Sequence, residues 1–332
     1  MPRLNPPPRF QLAALPTPLE VFPLSPAPKS GIEIFIKRDD LTGSELSGNK
    51  IRKLEFILYE AISRKADTLI TCGGIQSNHC RATAALAAKT GLDCELLLKG
   101  RKPSSADGNL LLDILYKAKI TNITTREYET QIDEILTGRA SALKKRGKKP
   151  YIIPEGASNP LGMWGYVLAG LELKRQLDKA GISADYITCA VGSGGTYAGL
   201  YIASLLLNWP VKILGIAVCR NTEFFINRIG GLIEAFIETY NLKITPDPSR
   251  IYIDDSYIGP GYAKIGKKEA DFIKGIAGYS GLILDPAYTC KAMLGMFDYI
   301  ARGNFERKST VIFMHTGGLL SIFAYKKHLT GN

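Results

Sequence analysis

Short apolar runs alternate with helical stretches along most of this 332-residue chain, a pattern that demands parallel strands covered by helices. Residues 32–36, 67–72, 94–98, 151–153, 186–191, 211–218 and 310–314 read as strands, with Gly73 and Gly74 closing the second of them. Helical spacing fills the intervals, from the helix that opens at Lys50 and the alanine-rich stretch after Ser77 to residues 109–117, 132–145, 222–240, 267–276 and 287–301. The turn Pro154-Glu155-Gly156-Ala157-Ser158-Asn159-Pro160 interrupts the alternation, and the long helix over 161–177 reads as a crossing between two domains. The expectation is a two-domain α/β fold. Residues 1–48 and 161–332 form the larger domain, and residues 49–160 a smaller mobile one that closes over a substrate. Without a repeat or a low-complexity linker, the two should share an extensive interface. Residues 241–261, rich in tyrosine, aspartate and proline, read as irregular.

The length leaves ample interior for a buried cofactor. No apolar run reaches the roughly 18 residues that a membrane span needs, and the proline-punctuated start reads as an extended arm rather than a secretory leader. Cys72, Cys80, Cys94, Cys189, Cys219 and Cys290 lack CxxC spacing and sit in apolar contexts. They read as buried free thiols in a reducing, cytoplasmic compartment, with no metal site. The net charge of +11 raises the question of nucleic acid, but the basic residues are interleaved with acids. Only the run from Lys144 to Lys149 is concentrated, and it reads as a solvated helix end leading into a strand.

Three glycine-rich strand ends and one lysine carry the chemistry. Lys50 follows a strand, a charged turn and Gly48, at the start of the amphipathic helix marked by Ile51, Leu54, Ile57 and Leu58. A partly desolvated amine there loses its proton more easily and becomes a nucleophile toward a carbonyl cofactor. Gly48 suggests close backbone approach, with a flat ligand as the expected neighbour. Gly192-Ser193-Gly194-Gly195-Thr196 lies between a strand and a helix, where converging amides and a helix N-terminus make a phosphate cradle. Tyr197 stands where the third glycine of GxGxxG would be, which favours a single phosphate over a dinucleotide. Gly73 to His79 and His315-Thr316-Gly317-Gly318 end two further strands, at the sheet edge where α/β enzymes bind ligands.

The stretches KRDDLTGSELSGNKIRKLE, CGGIQSNHCRATAA, GNLLLD, VGSGGTYAG, LDPAYTCKAM and HTGG together resemble the pyridoxal-phosphate enzymes that comprise 1-aminocyclopropane-1-carboxylate (ACC) deaminase and D-cysteine desulfhydrase. The resemblance spans nearly the whole chain, and it implies the tryptophan-synthase-β fold, a homodimer, and a small amino acid as substrate. It implies Lys50 as the lysine that binds the cofactor covalently, Asn78 as a contact to the ring hydroxyl, and Gly192, Ser193, Gly194, Gly195 and Thr196 as the phosphate loop. It also implies Ser77 at the substrate carboxylate or reacting carbon, with Gln76, Asn78 and His79 beside it. Tyr288 is then expected near the ring, and Tyr262 near the substrate.

Two positions separate members of that family. ACC deaminases carry a glutamate facing the ring nitrogen where this chain has Thr289, and a leucine where it has Thr316. A hydroxyl at Thr289 does not enforce protonation of the ring, so the electron sink is weaker, which suits loss of a good leaving group such as HS⁻. The expected activity is therefore β-elimination of D-cysteine, with Lys50, Ser77, Tyr262 and Tyr288 as catalytic residues. ACC deaminase and L-cysteate sulfo-lyase are the alternatives. A serine hydrolase with Ser193 on a nucleophile elbow is a rival from another class, opposed by Val191 where that motif needs glycine.

Overall fold

The structure, a computed structural model, describes residues 5–22 and 31–331. The first half contains β1 (Leu19–Val21), β2 (Glu33–Lys37), α1 (Lys50–Ser63), β3 (Thr68–Gly74), α2 (Asn78–Thr90), β4 (Asp93–Lys99), α3 (Gly108–Leu115), β5 (Lys119–Ile123), α4 (Thr125–Thr130), α5 (Ile132–Lys144) and β6 (Pro150–Ile152). There follow α6 (Pro160–Ala180), β7 (Tyr186–Val191), α7 (Gly195–Leu206), β8 (Lys212–Ala217), α8 (Thr222–Thr239), β9 (Tyr252–Asp254), α9 (Lys267–Ser280), α10 (Thr289–Ala301), β10 (Thr310–Met314) and α11 (Lys326–Thr330).

The strands make two sheets. One has the order β1-β2-β10-β7-β8-β9 and the other β5-β4-β3-β6. Every pairing is parallel except that of β1 with β2. The strands from 68 to 152 thus belong to one sheet, and those from 19 to 37 and 186 to 314 to the other. Buried strands such as β7 and β10 are apolar on both faces because helices cover both sides. Helix α1 packs its Ile51, Leu54, Ile57 and Leu58 into the core of the smaller sheet, while Gly165 of α6 lets the α1 backbone come close on its other side.

Glycines 73 and 74 do not close β3. They belong to it, opposite Leu98 and Lys99 of β4. A methyl group on Gly73 would lie 2.6 Å from Ser77 Oγ, and one on Gly74 2.9 Å from Tyr262 Cε1. Close approach, rather than a turn, explains both residues. Strands β1, β5 and β9 and helices α4 and α11 are additions to the sequence reading, and β9 lies inside the stretch read as irregular. All three strands are sheet edges, where the alternation of burial that marks a strand is weak.

The N-terminal arm runs without regular structure to β1 and is strapped to α1. The Glu55 carboxylate accepts hydrogen bonds from the Leu12 and Ala13 amides and pairs with Arg9. Residues 144–149 are exposed between α5 and β6, as expected of a solvated helix end. The cysteines are free, and all but Cys219 are fully buried. Among the described residues, no helix is long and apolar enough to cross a membrane.

A buried polar network ties the arm, β2, α1 and α6 together. Arg52 donates to both oxygens of Asp39, at 2.8 and 3.0 Å, and to both of Glu172, at 2.9 Å each. Lys37 donates to Thr17 O, Glu172 and Gln176, and Tyr166 donates to Asp39 at 2.6 Å. Burial opposes the charge on Asp39, yet the Arg52 guanidinium beside it holds the carboxyl below its usual range.

Candidate active site

Segments that follow the carboxyl ends of β2, β3, β7 and β10 line one cavity, part of it open to solvent. Lys50 is the first residue of α1 and lines this cavity. Gly48, two residues before it, has φ +101°, and a Cβ there would stand 2.9 Å from Thr316 O. The close approach inferred for Gly48 is therefore to the chain's own His315–Gly318 turn, not to a flat ligand. The Asn49 amide donates to the same Thr316 carbonyl at 3.0 Å, which fixes where α1 begins. Burial lowers the Lys50 amine to about 8, against the opposing pull of the Glu155 and Asp285 carboxylates. A large fraction of this amine is thus neutral near pH 8 and able to act as a nucleophile or base.

Across the cavity lies the β7–α7 turn. Gly192, Ser193, Gly194 and Thr196 line the space, and Gly195 begins α7. Gly194 holds φ +86°, a left-handed conformation that turns successive amides the same way. Tyr197 sends its ring into the core, where its hydroxyl donates to Ile213 O and accepts from the Tyr252 amide. That is why this position is not a third glycine.

Lys53, one turn beyond Lys50 on the same face of α1, adds what the sequence reading missed. Its side chain is fully buried, and among the described residues its Nζ donates only to Gly156 O and Ser158 Oγ, at 3.3 and 3.2 Å. A Cβ on Gly195 would come within 2.8 Å of that Nζ and 2.5 Å of Ser158 Oγ. Ser158 in turn shares a hydrogen bond with Ser193 at 2.8 Å. Burial, then the nearby charges of Lys50 and Arg228, push the Lys53 amine well below its usual value. A buried amine behind a helix N-terminus and off the cavity wall, bonded to neutral oxygens, is a group whose charge a nearby phosphate dianion would restore.

Asn78 lines the cavity at the start of α2. Its Oδ1 accepts from Asn109 Nδ2 at 2.8 Å, which leaves Asn78 Nδ2 as a free donor. Ser77 caps α2 by accepting from the Cys80 amide, while Gln76 bonds to Asp107 O and the Asn109 amide. Neither Ser77 nor Gln76 lies on the cavity wall, and both sit in the turn that presents Asn78. His79 is turned away: it is buried and bonds through Nε2 to Thr71 Oγ1 at 2.8 Å. Burial and the two lysines hold its imidazole neutral.

Tyr288 and Thr316 complete the wall. The Tyr288 ring is why position 192 is glycine, since a Cβ there would meet its Cε1 at 2.9 Å. Tyr262 stands behind it, with the two hydroxyls 2.5 Å apart, and burial pushes both well above the usual tyrosine range. Thr289, the next residue, is fully buried just off the cavity wall, and its hydroxyl is engaged by Asp285. Among the described residues no histidine is bonded to Ser193: its hydroxyl meets Ser158, His79 faces Thr71 and His315 faces Ile283 O. The nucleophile-elbow reading therefore lacks its histidine base.

A lysine amine of lowered basicity, set against a glycine-rich cradle with a second buried amine behind it, fits pyridoxal phosphate. The family model described as "Pyridoxal-phosphate dependent enzyme" matches residues 10–317. A putative ACC deaminase of Thermotoga maritima is 43% identical over 97% of this chain and 99% of its own length. The D-cysteine desulfhydrase of Klebsiella pneumoniae is 39% identical over 97% of each chain. A bifunctional D-cysteine desulfhydrase/ACC deaminase of Arabidopsis thaliana, described as mitochondrial, is 41% identical over 95% of this chain and 79% of its own. The crystal structure of an ACC deaminase homologue superposes with a TM-score of 0.88 at 36% identity, covering 98% of this chain and 96% of that one. The chain belongs to the ACC deaminase and D-cysteine desulfhydrase family of pyridoxal-phosphate-dependent enzymes. It is a lyase of the tryptophan-synthase-β-like fold, and its cofactor is pyridoxal 5'-phosphate.

Proposed function

We propose that this enzyme is a D-cysteine desulfhydrase, converting D-cysteine and water to pyruvate, hydrogen sulfide and ammonia. The observation that carries the choice is Thr316 on the cavity wall, where the family's ACC deaminases keep an apolar side chain. Pyridoxal 5'-phosphate, when bound, draws electrons from the α-carbon of an attached amino acid and so acidifies its Cα–H. Lys50 Nζ would hold the cofactor covalently, and the same atom, when free, would take the α-proton. Lys53, Ser193, Thr196 and the amides of Gly192 to Gly195 hold the phosphate. Asn78 Nδ2 would donate to the ring hydroxyl, and Thr289 is assigned to the ring nitrogen. The substrate carboxylate is assigned to the Gln76-Ser77-Asn78 turn, which reaches the cavity wall at Asn78, while His79 supports that turn from behind. The Tyr262–Tyr288 pair positions the substrate and returns a proton through Tyr288, the member on the cavity wall.

ACC deamination is the second reading, favoured by the Asp285 carboxylate bonded to Thr289. The same proposal makes the sheet of residues 68–152 the core of the smaller, closing domain, and the working form a cytoplasmic homodimer. The test is a product assay across D-cysteine, L-cysteine, L-cysteate, 3-chloro-D-alanine and ACC. Pyruvate release should be fastest from D-cysteine. Release of 2-oxobutanoate from ACC at a matching rate would reverse the order of the two readings.

A further inference from the structure

Asp285 is fully buried and surrounded by donors. Its Oδ2 accepts from the amides of Ala287 and Tyr288, at 3.1 and 3.2 Å, and its Oδ1 from the Thr289 amide at 2.8 Å. The Thr289 hydroxyl donates to the same Oδ1 at 2.7 Å and accepts from the Asp285 amide at 2.7 Å. Gly318 has φ +110°, and a Cβ there would lie 2.3 Å from that of Asp285, so the His315–Gly318 turn closes tightly over this side chain. Burial raises the carboxyl above its usual range, while the Thr289 amide and hydroxyl pull it back. An arrangement of four donors and no acceptor is satisfied in full only by the ionised carboxylate.

The consequence falls on Thr289. A threonine hydroxyl has one hydrogen and two lone pairs. Here the hydrogen is spent on Asp285 Oδ1 and one lone pair on the Asp285 amide. What is left is a single lone pair, so the hydroxyl can accept another hydrogen bond but cannot give one. A neutral pyridine nitrogen has nothing to offer such a group, whereas a protonated one donates to it. Asp285 also stands at the start of α10, where its charge offsets the partial positive charge of the helix end, which would otherwise oppose a cation there.

We propose that Asp285, acting through the Thr289 hydroxyl, holds the proton on the ring nitrogen of the bound cofactor. This rests on the assignment of Thr289 to that nitrogen made above. Asp285 is then a positioning residue, and the pair does the work that a directly facing glutamate would do. The sequence argument from Thr289 to a weak electron sink is thereby inverted. The choice between D-cysteine and ACC passes to the shape and polarity of the wall at Thr316.

The test is nitrogen NMR of the holoenzyme loaded with pyridoxal 5'-phosphate labelled at the ring nitrogen, compared with Asp285→Asn, Thr289→Ala and Thr289→Ser. Wild type and Thr289→Ser should give a pyridinium shift, and Thr289→Ala and Asp285→Asn a neutral pyridine shift. Thr289→Ala keeps the three backbone hydrogen bonds to Asp285, so it remains informative if Asp285→Asn does not fold. A neutral shift in wild type, or a pyridinium shift that survives in Thr289→Ala, overturns the proposal. A shift that moves in Thr289→Ala but not in Asp285→Asn removes Asp285 alone. A shift indifferent to every variant shows that Thr289 does not face the ring nitrogen at all.

Discussion

Arg52 and Lys53 are neighbours on α1, both buried and both cationic by type, yet their surroundings are opposite. Arg52 faces α6 and spends its guanidinium on the two carboxylates Asp39 and Glu172. Lys53 faces β7 and α7 and meets a carbonyl and a hydroxyl, with Lys50 and Arg228 as its nearest charges. A cation whose charge is balanced inside the chain stabilises the fold. One left unbalanced at a helix N-terminus marks the place of a ligand that brings the charge with it. Lys50, on the same face as Lys53, shows a third state, an amine that burial lowers to about 8 and keeps chemically available.

Removing these side chains one at a time breaks the comparison in graded ways. Lys50→Ala should lower turnover the most, by about 10²–10⁴-fold if the amine is the base, with the fold intact by circular dichroism. Arg52→Met leaves Asp39 buried without its partner and should cost about 3–5 kcal/mol of stability, read as a lowered denaturation midpoint with and without cofactor. Lys53→Met should leave the stability of the cofactor-free protein unchanged or slightly raised. Its effect belongs to cofactor affinity, which should fall by about 1.5–3 kcal/mol, the value of a charge-assisted hydrogen bond. Equal loss of stability in the Arg52 and Lys53 variants would erase the distinction between them.

A pH series sharpens the same contrast. Capture of pyridoxal 5'-phosphate by the cofactor-free protein requires a neutral Lys50, so its rate should rise with pH through a midpoint of about 8. The Glu155 carboxylate favours the ammonium form, so Glu155→Gln should move the midpoint to lower pH. A midpoint that stays fixed or rises would show that Glu155 does not act on Lys50. The smallest effect expected is that of Thr316→Leu, a shift of the D-cysteine to ACC rate ratio toward ACC. Each kcal/mol of preference changes such a ratio only about fivefold.

Most of the frame was legible in the sequence because buried parallel strands are continuous apolar runs. Strands β7 and β10 coincide with the runs 186–191 and 310–314. Edge strands escaped for the opposite reason: β5 buries little beyond Ile123, so nothing in its composition separates it from a loop. At the site, glycine and lysine at strand ends pointed to the cradle and to Lys50, but partners distant in sequence did not announce themselves. Lys53 carried a signal in its spacing of three from Lys50, which places both on one helical face. In Lys50-Ile51-Arg52-Lys53, however, only contact tells the paired cation from the unpaired one. Asp285 was equally visible four residues before Thr289. The sequence comparison treated Thr289 as an isolated hydroxyl, and the structure joins it to a carboxylate.

The most direct measurement is borohydride reduction of the holoenzyme followed by peptide mass mapping. A half-buried lysine, Lys50, and a fully buried one, Lys53, lie one helical turn apart on the same face, and only one is assigned to covalent attachment. The pyridoxyl group should be found on Lys50, with Lys53 unmodified and still required for tight binding. A pyridoxyl group on Lys53, or a protein that binds the cofactor without forming a reducible link to either lysine, would contradict the account.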